Sequence, residues 1–393
     1  MKNVLVSLVS DQTVPNILGI HHFHPPELLF VSTEAMERRG KVDDMLNAVN
    51  LQDGMKYERN VNAHVVTVQE DSILDCHREL EKWIQGREDA EFVINLTGGT
   101  KLMSIAVFEF FKDYSSKMIY IPLNKNEFLS PFPKKTIKKP VPIEKRLNVV
   151  EYLAAYGLKV LNRDKLRTNR EMAERRRGPA IFLIENYKEL RPLLGWFNEK
   201  LNDFRNKGKI SFREQYVCHC REEQMLFAKL AFDGKDGCYT KVLLKPEICF
   251  LTGGWLEEYC FNIVSEFIGR GVDDAVLGIV IENAQGRNNE FDVMFTSGNA
   301  LYFIECKSLD QEHDKNWDVL YKIGALQKEF GLRVESFLVT TSPNILENDG
   351  QVKKHIAARA EQFRTEVLTP SEVADFRSFL AHRLSVQVRE PQQ

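Results

Sequence analysis

The sequence predicts an α/β protein in which two sheet-containing domains flank a helical segment. Near the N-terminus, residues 1–124 alternate short apolar runs with segments of helical spacing, such as 73–84. Short buried strands that alternate with helices are typical of a parallel sheet covered on both faces. Further along, three strand-like runs follow a helix that begins at Gly254. At about 150 residues per domain, the 393 residues correspond to two or three domains.

The first predicted domain covers residues 1–140 and is Rossmann-like. Its ligands are expected at the carboxyl ends of the parallel strands. The predicted strands are 4–9, 28–31, 64–68, 92–96 and 118–121.

The second predicted segment, residues 141–245, is mainly helical. Prolines and lysines interleave over 131–146, which indicates a stiff, basic, exposed connection or an edge hairpin. Helical spacing follows at 149–161 and 181–197, with a basic run from Arg163 to Arg177. We interpret this segment as a helical spacer with a solvated charged face. A nucleic-acid contact or a winged-helix-like hinge between the flanking domains is the alternative.

The third predicted domain covers residues 246–393. It begins with a helix over 254–268 and ends in helices. Between these, the pattern predicts strands at 275–281, 290–296, 300–306 and 336–341, and a helix at about 315–330.

Composition excludes several classes of protein. The formal net charge is −3, so nucleic acid would have to bind a local basic patch. No apolar run approaches the roughly 18 residues of a membrane span. Residues 1–7 resemble a first strand more than a secretory signal, and seven scattered cysteines suit a reducing compartment. We therefore expect a cytoplasmic protein that does not contact membranes.

Two predicted strands carry a candidate catalytic site. Asp292 lies on one strand, and Glu305-Cys306-Lys307 ends the next. Because side chains alternate along a strand, Glu305 and Lys307 should project from the same face. Asp292 and Glu305 would then hold a hard divalent cation, and Lys307 would orient or deprotonate a water or stabilise charge on a phosphate. The alternative is a plain salt bridge of the acids with Lys307.

A third acid comes from the helix that follows Gly253-Gly254. Glu257 shares the edge of the apolar face with Cys260, whereas Glu258 falls on the polar face with Asn262. We therefore expect Glu257 to point into the sheet and to complete the metal ligands Asp292 and Glu305. This order of motifs resembles the PD-(D/E)xK nuclease superfamily, with Glu257 as the helix acid and Gln327 as an accessory polar group.

The N-terminal domain carries a candidate phosphate site. Thr97-Gly98-Gly99-Thr100-Lys101 joins a buried strand to a helix, so backbone N–H groups and Lys101 can meet a phosphate. The spacing matches neither GxxxxGK[ST] nor GxGxxG, which disfavours ATP hydrolysis and dinucleotide binding. A tight turn with glycines for packing is the alternative. A second loop, expected at the same edge of the sheet, follows the first strand and adds the predicted ligand residues Ser10, Asp11, Gln12, Thr13 and Asn16.

These two loops resemble the ligand motifs of CARF domains, the CRISPR-associated Rossmann-like sensors of cyclic oligoadenylates. The order of CARF domain, helical middle and PD-(D/E)xK domain resembles the type III CRISPR effector nucleases activated by cyclic tetra-adenylate. The resemblance implies a homodimer that binds the activator across two sensor domains. It also implies Mn²⁺- or Mg²⁺-dependent cleavage of single-stranded DNA or RNA. The alternatives are a ligand-sensing DNA-binding regulator, or a repair or restriction nuclease that is not gated by cyclic oligoadenylate.

Overall fold

The N-terminal domain is a five-stranded parallel sheet with helices on both faces. The computed structural model describes residues 3–52, 54, 56–123, 125–132, 139–283, 285–308, 320, 324 and 329–386. The strand order is β3-β2-β1-β4-β5, which confirms the Rossmann-like prediction. Its elements are β1 (Asn3–Leu8), α1 (Val14–Phe23), β2 (Glu27–Thr33), α2 (Glu34–Arg38), α3 (Lys41–Val49), β3 (Ala63–Val68), α4 (Ile73–Ile84), β4 (Glu91–Asn95), α5 (Lys101–Phe111) and β5 (Ser116–Ile119).

This sheet forms because its central strands are apolar on both faces. Helices α4 and α5 cover one face, and α1 and α3 cover the other. Both α4 and α5 begin at a side-chain cap: Ser72 accepts from the Asp75 amide, and Thr100 accepts from the Met103 amide. Since β1 pairs with β4, the loops that follow these two strands emerge together at one edge of the sheet.

The Pro/Lys-rich stretch forms an edge hairpin where the structure describes it. Strand β6 (Glu127–Phe128) pairs antiparallel with β7 (Val141–Pro142). Residues 139–142 are exposed, as the sequence predicts, and residues 133–138 lie outside the described part of the chain.

Helix α6 (Val149–Ala155) follows the hairpin. A capping box starts the helix, in which the Asn148 side chain and Glu151 each accept a backbone N–H of the other residue. The prediction of one helix over 149–161 is wrong beyond Ala155, because the chain turns and continues as β8 (Lys159–Val160). Strand β8 pairs with the C-terminal sheet rather than with any part of the middle segment.

The rest of the middle segment is largely helical, as predicted, but it also contains an unpredicted three-stranded antiparallel sheet. The sheet order is β10-β11-β9. Only Phe212 and Leu243 are buried in these strands, so the apolar periodicity that identifies buried strands is weak here. The elements are α7 (Arg163–Arg175), α8 (Arg177–Glu185), α9 (Tyr187–Leu201), β9 (Lys209–Gln215), α10 (Arg221–Lys229), β10 (Asp233–Lys235), β11 (Cys238–Leu244) and α11 (Lys245–Cys249).

The C-terminal domain is a six-stranded mixed sheet in the order β16-β15-β14-β13-β12-β8. The four predicted strands are confirmed within a few residues, whereas the predicted helix at 315–330 falls mainly outside the described residues. No helix in the described ranges is long and apolar enough to cross a membrane. The elements are α12 (Trp255–Ser265), β12 (Asp274–Glu282), β13 (Asn288–Ser297), β14 (Ala300–Lys307), β15 (Val334–Thr340), α13 (Lys354–Gln362), β16 (Thr365–Leu368) and α14 (Phe376–Arg383).

One hydrophobic core joins the two sheet domains through α6. Tyr152 and Leu153 of α6 are fully buried, with Met45 of α3 in the N-terminal domain and Phe291 of β13 in the C-terminal domain belonging to the same cluster. A hinge in the middle segment, given above as an alternative, stays a prediction. Helix α6 is a packed layer between the domains.

Candidate nuclease and ligand sites

Asp292 and Glu305 lie side by side on neighbouring antiparallel strands. The β13–β14 register pairs Val293 with Ile304, so its continuation places Asp292 level with Glu305. The Asp292 Oδ2 atom accepts the Cys306 backbone N–H at 2.7 Å. This bond fixes the Asp292 carboxylate beside the Glu305-Cys306-Lys307 segment, as the motif spacing predicted.

Lys307 faces the same side as Glu305. Its Nζ atom lies 3.4 Å from Glu305 Oε1, and the Glu305 side chain is 6 % exposed. Desolvation lowers the pKa of Lys307, but the charges of Glu305 and Asp292 outweigh this effect and raise the pKa above its usual value. Lys307 is therefore an ammonium in this arrangement, which favours charge stabilisation or water orientation over the role of a base.

Glu257 belongs to the same carboxylate cluster. Burial, followed by the charges of Asp292 and Glu290, raises the pKa of Glu257 well above its ordinary value, and Glu305 adds to the shift. Helix α12 starts after a kink at Gly253, whose φ of 129° is open to glycine and strained for other residues. The kink sets the direction of the first helical turn, on which Glu257 lies.

Glu258 does not lie on a polar face, so that part of the sequence interpretation is wrong. It is 7 % exposed, and its Oε2 atom accepts Nε–H of Arg176 at 2.9 Å. Asn262, predicted to share the polar face, is also buried and donates to the Ala173 carbonyl. Helix α7 covers this side of α12, which a sequence pattern within α12 alone could not reveal.

Carboxylate oxygens, such as those of Glu257, Asp292 and Glu305, are the ligands that a hard cation prefers. In this structure the three carboxylates do not surround a common metal position. Within the described residues, no group of three or more His, Cys, Asp and Glu side chains is arranged around a metal position. The mutual effect of the three acids on the Glu257 pKa shows that they share one electrostatic environment. Oxygen-only ligands match the preference of Mg²⁺ and Mn²⁺.

Two charged residues near the cluster were not predicted. Glu290 raises the pKa of Glu257, and Arg205 lowers it. Strand alternation gave a signal for Glu290, which lies two residues before Asp292. Arg205 follows α9 and lies far away in sequence, so no local pattern indicated it. Gln327, the predicted accessory group, lies outside the described residues.

The predicted phosphate turn and the first-strand loop touch each other. A Cβ atom on Gly98 would lie 2.1 Å from the Leu8 carbonyl oxygen, a distance that only glycine avoids. The same Cβ would lie 3.4 Å from Ser10 Oγ. The prediction that the two loops share one edge of the sheet is therefore confirmed by their contact.

The turn itself is held by its two threonines. The Thr97 hydroxyl donates to Asn95 Oδ1 at 2.6 Å and accepts the Ile121 N–H at 2.8 Å. The Thr100 hydroxyl donates to the Glu70 carbonyl at 2.7 Å. Lys101, the first residue of α5, is exposed. The side chains of Thr97 and Thr100 thus shape the turn, and Lys101 is the group that reaches solvent.

In the first-strand loop, only some of the predicted ligand residues face outward. Ser10 is half-buried, and Asp11 is exposed and pairs with Arg39 at 2.6 Å. Asn16 is 1 % exposed and donates to the Leu8 carbonyl at 2.9 Å. Thr13 is fully buried. In this structure the side chains of Thr13 and Asn16 support the loop from within.

Gln12 and Thr13 connect this loop directly to the remainder of the molecule. Thr13 donates to the carbonyl of Ala155, the last residue of α6, at 2.6 Å. Gln12 Oε1 accepts the Tyr156 hydroxyl at 3.3 Å and the Leu332 N–H at 3.2 Å. We call these five residues the junction. Through the junction, the loop of the candidate ligand edge is hydrogen-bonded to Leu332, which lies just before β15.

Comparison with known proteins identifies both sheet domains. Residues 4–152 match the family model of the Card1 CARF domain, and residues 245–387 match that of the Card1-like endonuclease domain. The fold and the two sites thus define a CARF domain joined to an endonuclease domain. Both domains are of the Card1 type. No curated protein matches the sequence.

Two solved structures share this architecture over almost their whole length. The protein VC1899 from Vibrio cholerae superposes with a TM-score of 0.79 at 18 % identity, covering 98 % of each chain. Can2 from Sulfobacillus thermosulfidooxidans, solved in complex with cyclic tetra-adenylate, has a TM-score of 0.72 at 19 % identity and covers 96 % of this chain and 98 % of its own. At such identities the likeness establishes the fold.

Without divalent metal, neutralising Glu257 and neutralising Glu258 should change the free energy of unfolding in opposite directions. Burial raises the pKa of Glu258 as well, in spite of Arg176. Glu258→Gln nevertheless leaves the largely buried Arg176 guanidinium without its counter-charge and should lower the free energy of unfolding by roughly 3 kcal/mol. Glu257→Gln removes a carboxyl group whose ionisation is opposed first by burial and then by like charge, and should raise the free energy of unfolding. Urea unfolding in EDTA measures both changes.

The pH dependence of the Glu257→Gln effect gives the control. Because the folded-state pKa of Glu257 lies above its ordinary value of 4.5, the wild-type protein loses stability as pH rises above that value. The gain from Glu257→Gln should therefore be larger at pH 8 than at pH 5. A gain that is equal at both values, or a stable Glu258→Gln protein, would contradict the assignment of the two acids.

Proposed function

We propose that this protein is a cyclic-oligoadenylate-activated, divalent-metal-dependent endonuclease that cuts single-stranded DNA or RNA in type III CRISPR defence. The observation that carries the proposal is the cluster of Glu257, Asp292, Glu305 and Lys307 inside a Card1-like endonuclease domain, in a chain that begins with a CARF domain. The activity and its messenger suit a cytoplasmic protein.

The proposed catalytic residues follow the PD-(D/E)xK pattern. Asp292, Glu305 and Glu257 would hold Mn²⁺ or Mg²⁺, because the charges of Asp292 and Glu305 add to burial in raising the pKa of Glu257, and a cation would relieve that repulsion. When bound, the ion supplies Lewis-acid polarisation of the phosphate and lowers the pKa of a bound water. Lys307 would place its ammonium against the negative charge that develops on the phosphate.

The proposed activator site is the edge formed by the two N-terminal loops. Lys101, the backbone of Gly98 and Gly99, and the outward-facing residues Ser10 and Asp11 surround this edge. Gln12, Thr97 and Thr100 would shape it, and Thr13 and Asn16 would support it from within. Can2, which has the same fold, was solved with cyclic tetra-adenylate, and for this reason we propose a four-membered ring as the activator.

A homodimer would complete this site. Helices α4 and α5, which begin beside the edge, expose the apolar side chains Leu74 (78 %), Leu102 (40 %) and Ile105 (52 %). Exposed apolar residues gathered next to a ligand edge are typical of an interface. A two-fold axis there would present two equivalent turns to one symmetric ring.

Activation would be transmitted through the junction. Activator binding can favour the active arrangement only by interacting differently with the two states. Gln12 and Thr13 lie in the proposed activator loop and bind α6 and the segment before β15, so any shift of that loop changes contacts in the endonuclease domain. We therefore propose the junction, rather than the Pro/Lys-rich stretch, as the route of coupling.

Neutralising a proposed metal ligand should abolish cleavage. In Asp292→Asn or Glu305→Gln, the loss of several kcal/mol of charge stabilisation corresponds to a rate at least about 100-fold lower. The assay uses labelled single-stranded and duplex DNA and RNA, with and without cyclic tri-, tetra- and hexa-adenylate and Mn²⁺.

Glu361→Gln is the matched control, because this glutamate is exposed on α13. Wild-type turnover in both carboxylate variants would overturn the metal site. Cleavage by the wild-type protein without any cyclic oligoadenylate would instead indicate a nuclease that is not gated, and binding without cleavage would indicate a regulator.

Lys101→Ala should weaken activator binding without altering the nuclease site. One charge-assisted contact to phosphate contributes about 1.5–3 kcal/mol, or one to two orders of magnitude in affinity. Calorimetric titration with cyclic tetra-adenylate measures the loss, and excess activator should restore cleavage. Lys112→Ala, at the other end of α5, is the control. Equal affinities of Lys101→Ala and wild type would remove Lys101 from the site.

Removing hydroxyl groups from the junction should uncouple activation from binding. Thr13→Val and Tyr156→Phe each delete one hydrogen bond, worth about 1 kcal/mol, and should reduce the activation ratio roughly fivefold with little change in activator affinity. Tyr114→Phe, on the opposite face of the sensor sheet, is the control. An unchanged activation ratio in both variants would exclude the junction as the route.

A further inference from the structure

The loop that joins α9 to β9, residues 202–208, carries an exposed arginine, Arg205, which is not among the proposed catalytic residues. Its neighbour Phe204 packs against the hydrophobic core that also contains Leu256 of α12 and Cys306 of β14. Leu256 and Cys306 each lie next to a proposed metal ligand in the sequence. The loop is therefore anchored on the same core as the elements that carry the carboxylate cluster.

Backbone contacts bring Arg205 close to the start of α12. The Arg205 carbonyl oxygen lies 4.0 Å from Sγ of Cys249, the last residue of α11. The chain then folds back at Gly254, where an added Cβ atom would lie 3.1 Å from the Cys249 carbonyl oxygen. Glu257 follows Gly254 by three residues, which is about one turn of helix. Cys249 thus lies between the Arg205 backbone and the helical turn that carries Glu257.

The charge of Arg205 acts on the cluster, although its guanidinium is not paired there. Arg205 lowers the pKa of Glu257, whereas burial and the nearby acids raise it. Within the part of the chain that the structure describes, the Arg205 side chain forms no ion pair and no hydrogen bond. Asp203, the one acid in the loop sequence, is exposed as well. The five N–H donors of the guanidinium therefore remain for a ligand.

We propose that Arg205 binds a phosphate of the substrate strand beside the carboxylate cluster, so that the middle segment completes the nuclease site. A planar guanidinium can donate two parallel N–H bonds to phosphate oxygens, and it stays charged at neutral pH. Carboxylates without a cation repel a nucleic-acid backbone, and an unpaired arginine next to them attracts it. This inference rests on the proposed nuclease function and adds a substrate-binding residue to it.

The location of Arg205 favours this role over that of a counter-charge for Glu257. A buried counter-charge contacts its carboxylate, as Arg176 contacts Glu258 at 2.9 Å. Arg205 is instead exposed and makes no such contact with any residue that the structure describes. It also lies outside residues 245–387, which match the Card1-like endonuclease domain. The acids and the proposed strand contact therefore come from different segments of the chain.

The first test measures strand binding by the Glu305→Gln protein. Fluorescence anisotropy follows a labelled single-stranded oligonucleotide, with Mn²⁺ and cyclic tetra-adenylate present, as salt is varied. Adding Arg205→Ala should weaken binding about 10- to 100-fold and reduce the slope of log K against log salt by about 0.7, the value for one phosphate of a single strand. Adding Arg205→Lys should keep the slope and recover part of the affinity, because an ammonium keeps the charge but lacks the fork. Arg221→Ala, which alters an exposed arginine at the start of α10, is the matched control and should change neither quantity.

A second background separates a contact to phosphate from an effect through Glu257. In the Glu257→Gln protein, adding Arg205→Ala should weaken strand binding by the same factor as it does in the Glu305→Gln protein. If Arg205 acted only on the Glu257 carboxylate, this factor would fall to one. The urea midpoint of each protein checks that the variants are folded.

The inference is overturned if Arg205→Ala binds the strand as Arg221→Ala does, or if Glu257→Gln erases the effect of Arg205→Ala. Either result, with a wild-type protein that cleaves the strand, leaves the proposed nuclease function in place. A wild-type protein that cleaves neither DNA nor RNA, while strand binding still depends on Arg205, would contradict the nuclease function and retain the phosphate contact.

Discussion

The burial of α6 between the two sheet domains is the constraint on which the arrangement of this protein depends. Its side chains pack on α3 of the CARF domain and on the C-terminal sheet within one continuous core. An isolated helix of seven residues would not be stable in water, so α6 exists because both domains cover it. Its last residue, Ala155, and the following Tyr156 also accept from Thr13 and donate to Gln12, respectively. The element that joins the domains is therefore also in contact with the loop after β1.

The endonuclease domain, in contrast to the apolar packing around α6, holds residues of like charge close together. Glu257, Asp292 and Glu305 come from a helix and two strands, and burial combined with repulsion raises the pKa of Glu257. A fold tolerates such a cluster where function requires it. Repulsion among these carboxylates is reduced by the Lys307 ammonium and by hydrogen bonding of Asp292 to the Cys306 amide. A divalent cation would reduce it further, which links metal binding to the stability of this end of the sheet.

Elements with strong periodicity were predictable from sequence, and elements defined by distant contacts were not. The five parallel strands, α12 and the strands that carry Asp292 and Glu305 follow from apolar runs and alternation. Helical spacing was enough to expect Glu257 near Asp292 and Glu305, but the burial of Glu258 depends on Arg176, which lies between α7 and α8. The inward orientation of Thr13 and Asn16 depends on α6 and Leu8, which a loop motif does not contain. The three-stranded sheet of the middle segment was missed because its exposed strands lack an apolar period.

The central claim is that the activator edge communicates with the endonuclease domain by direct contact through α6. Hydrogen exchange of the backbone amides, followed by mass spectrometry with and without cyclic tetra-adenylate, tests this claim most directly. We predict altered protection in residues 149–156 and 330–336, in addition to the two loops that form the edge, and no change in α13. A change confined to the two loops, under conditions in which the activator fully switches on cleavage, would contradict the claim.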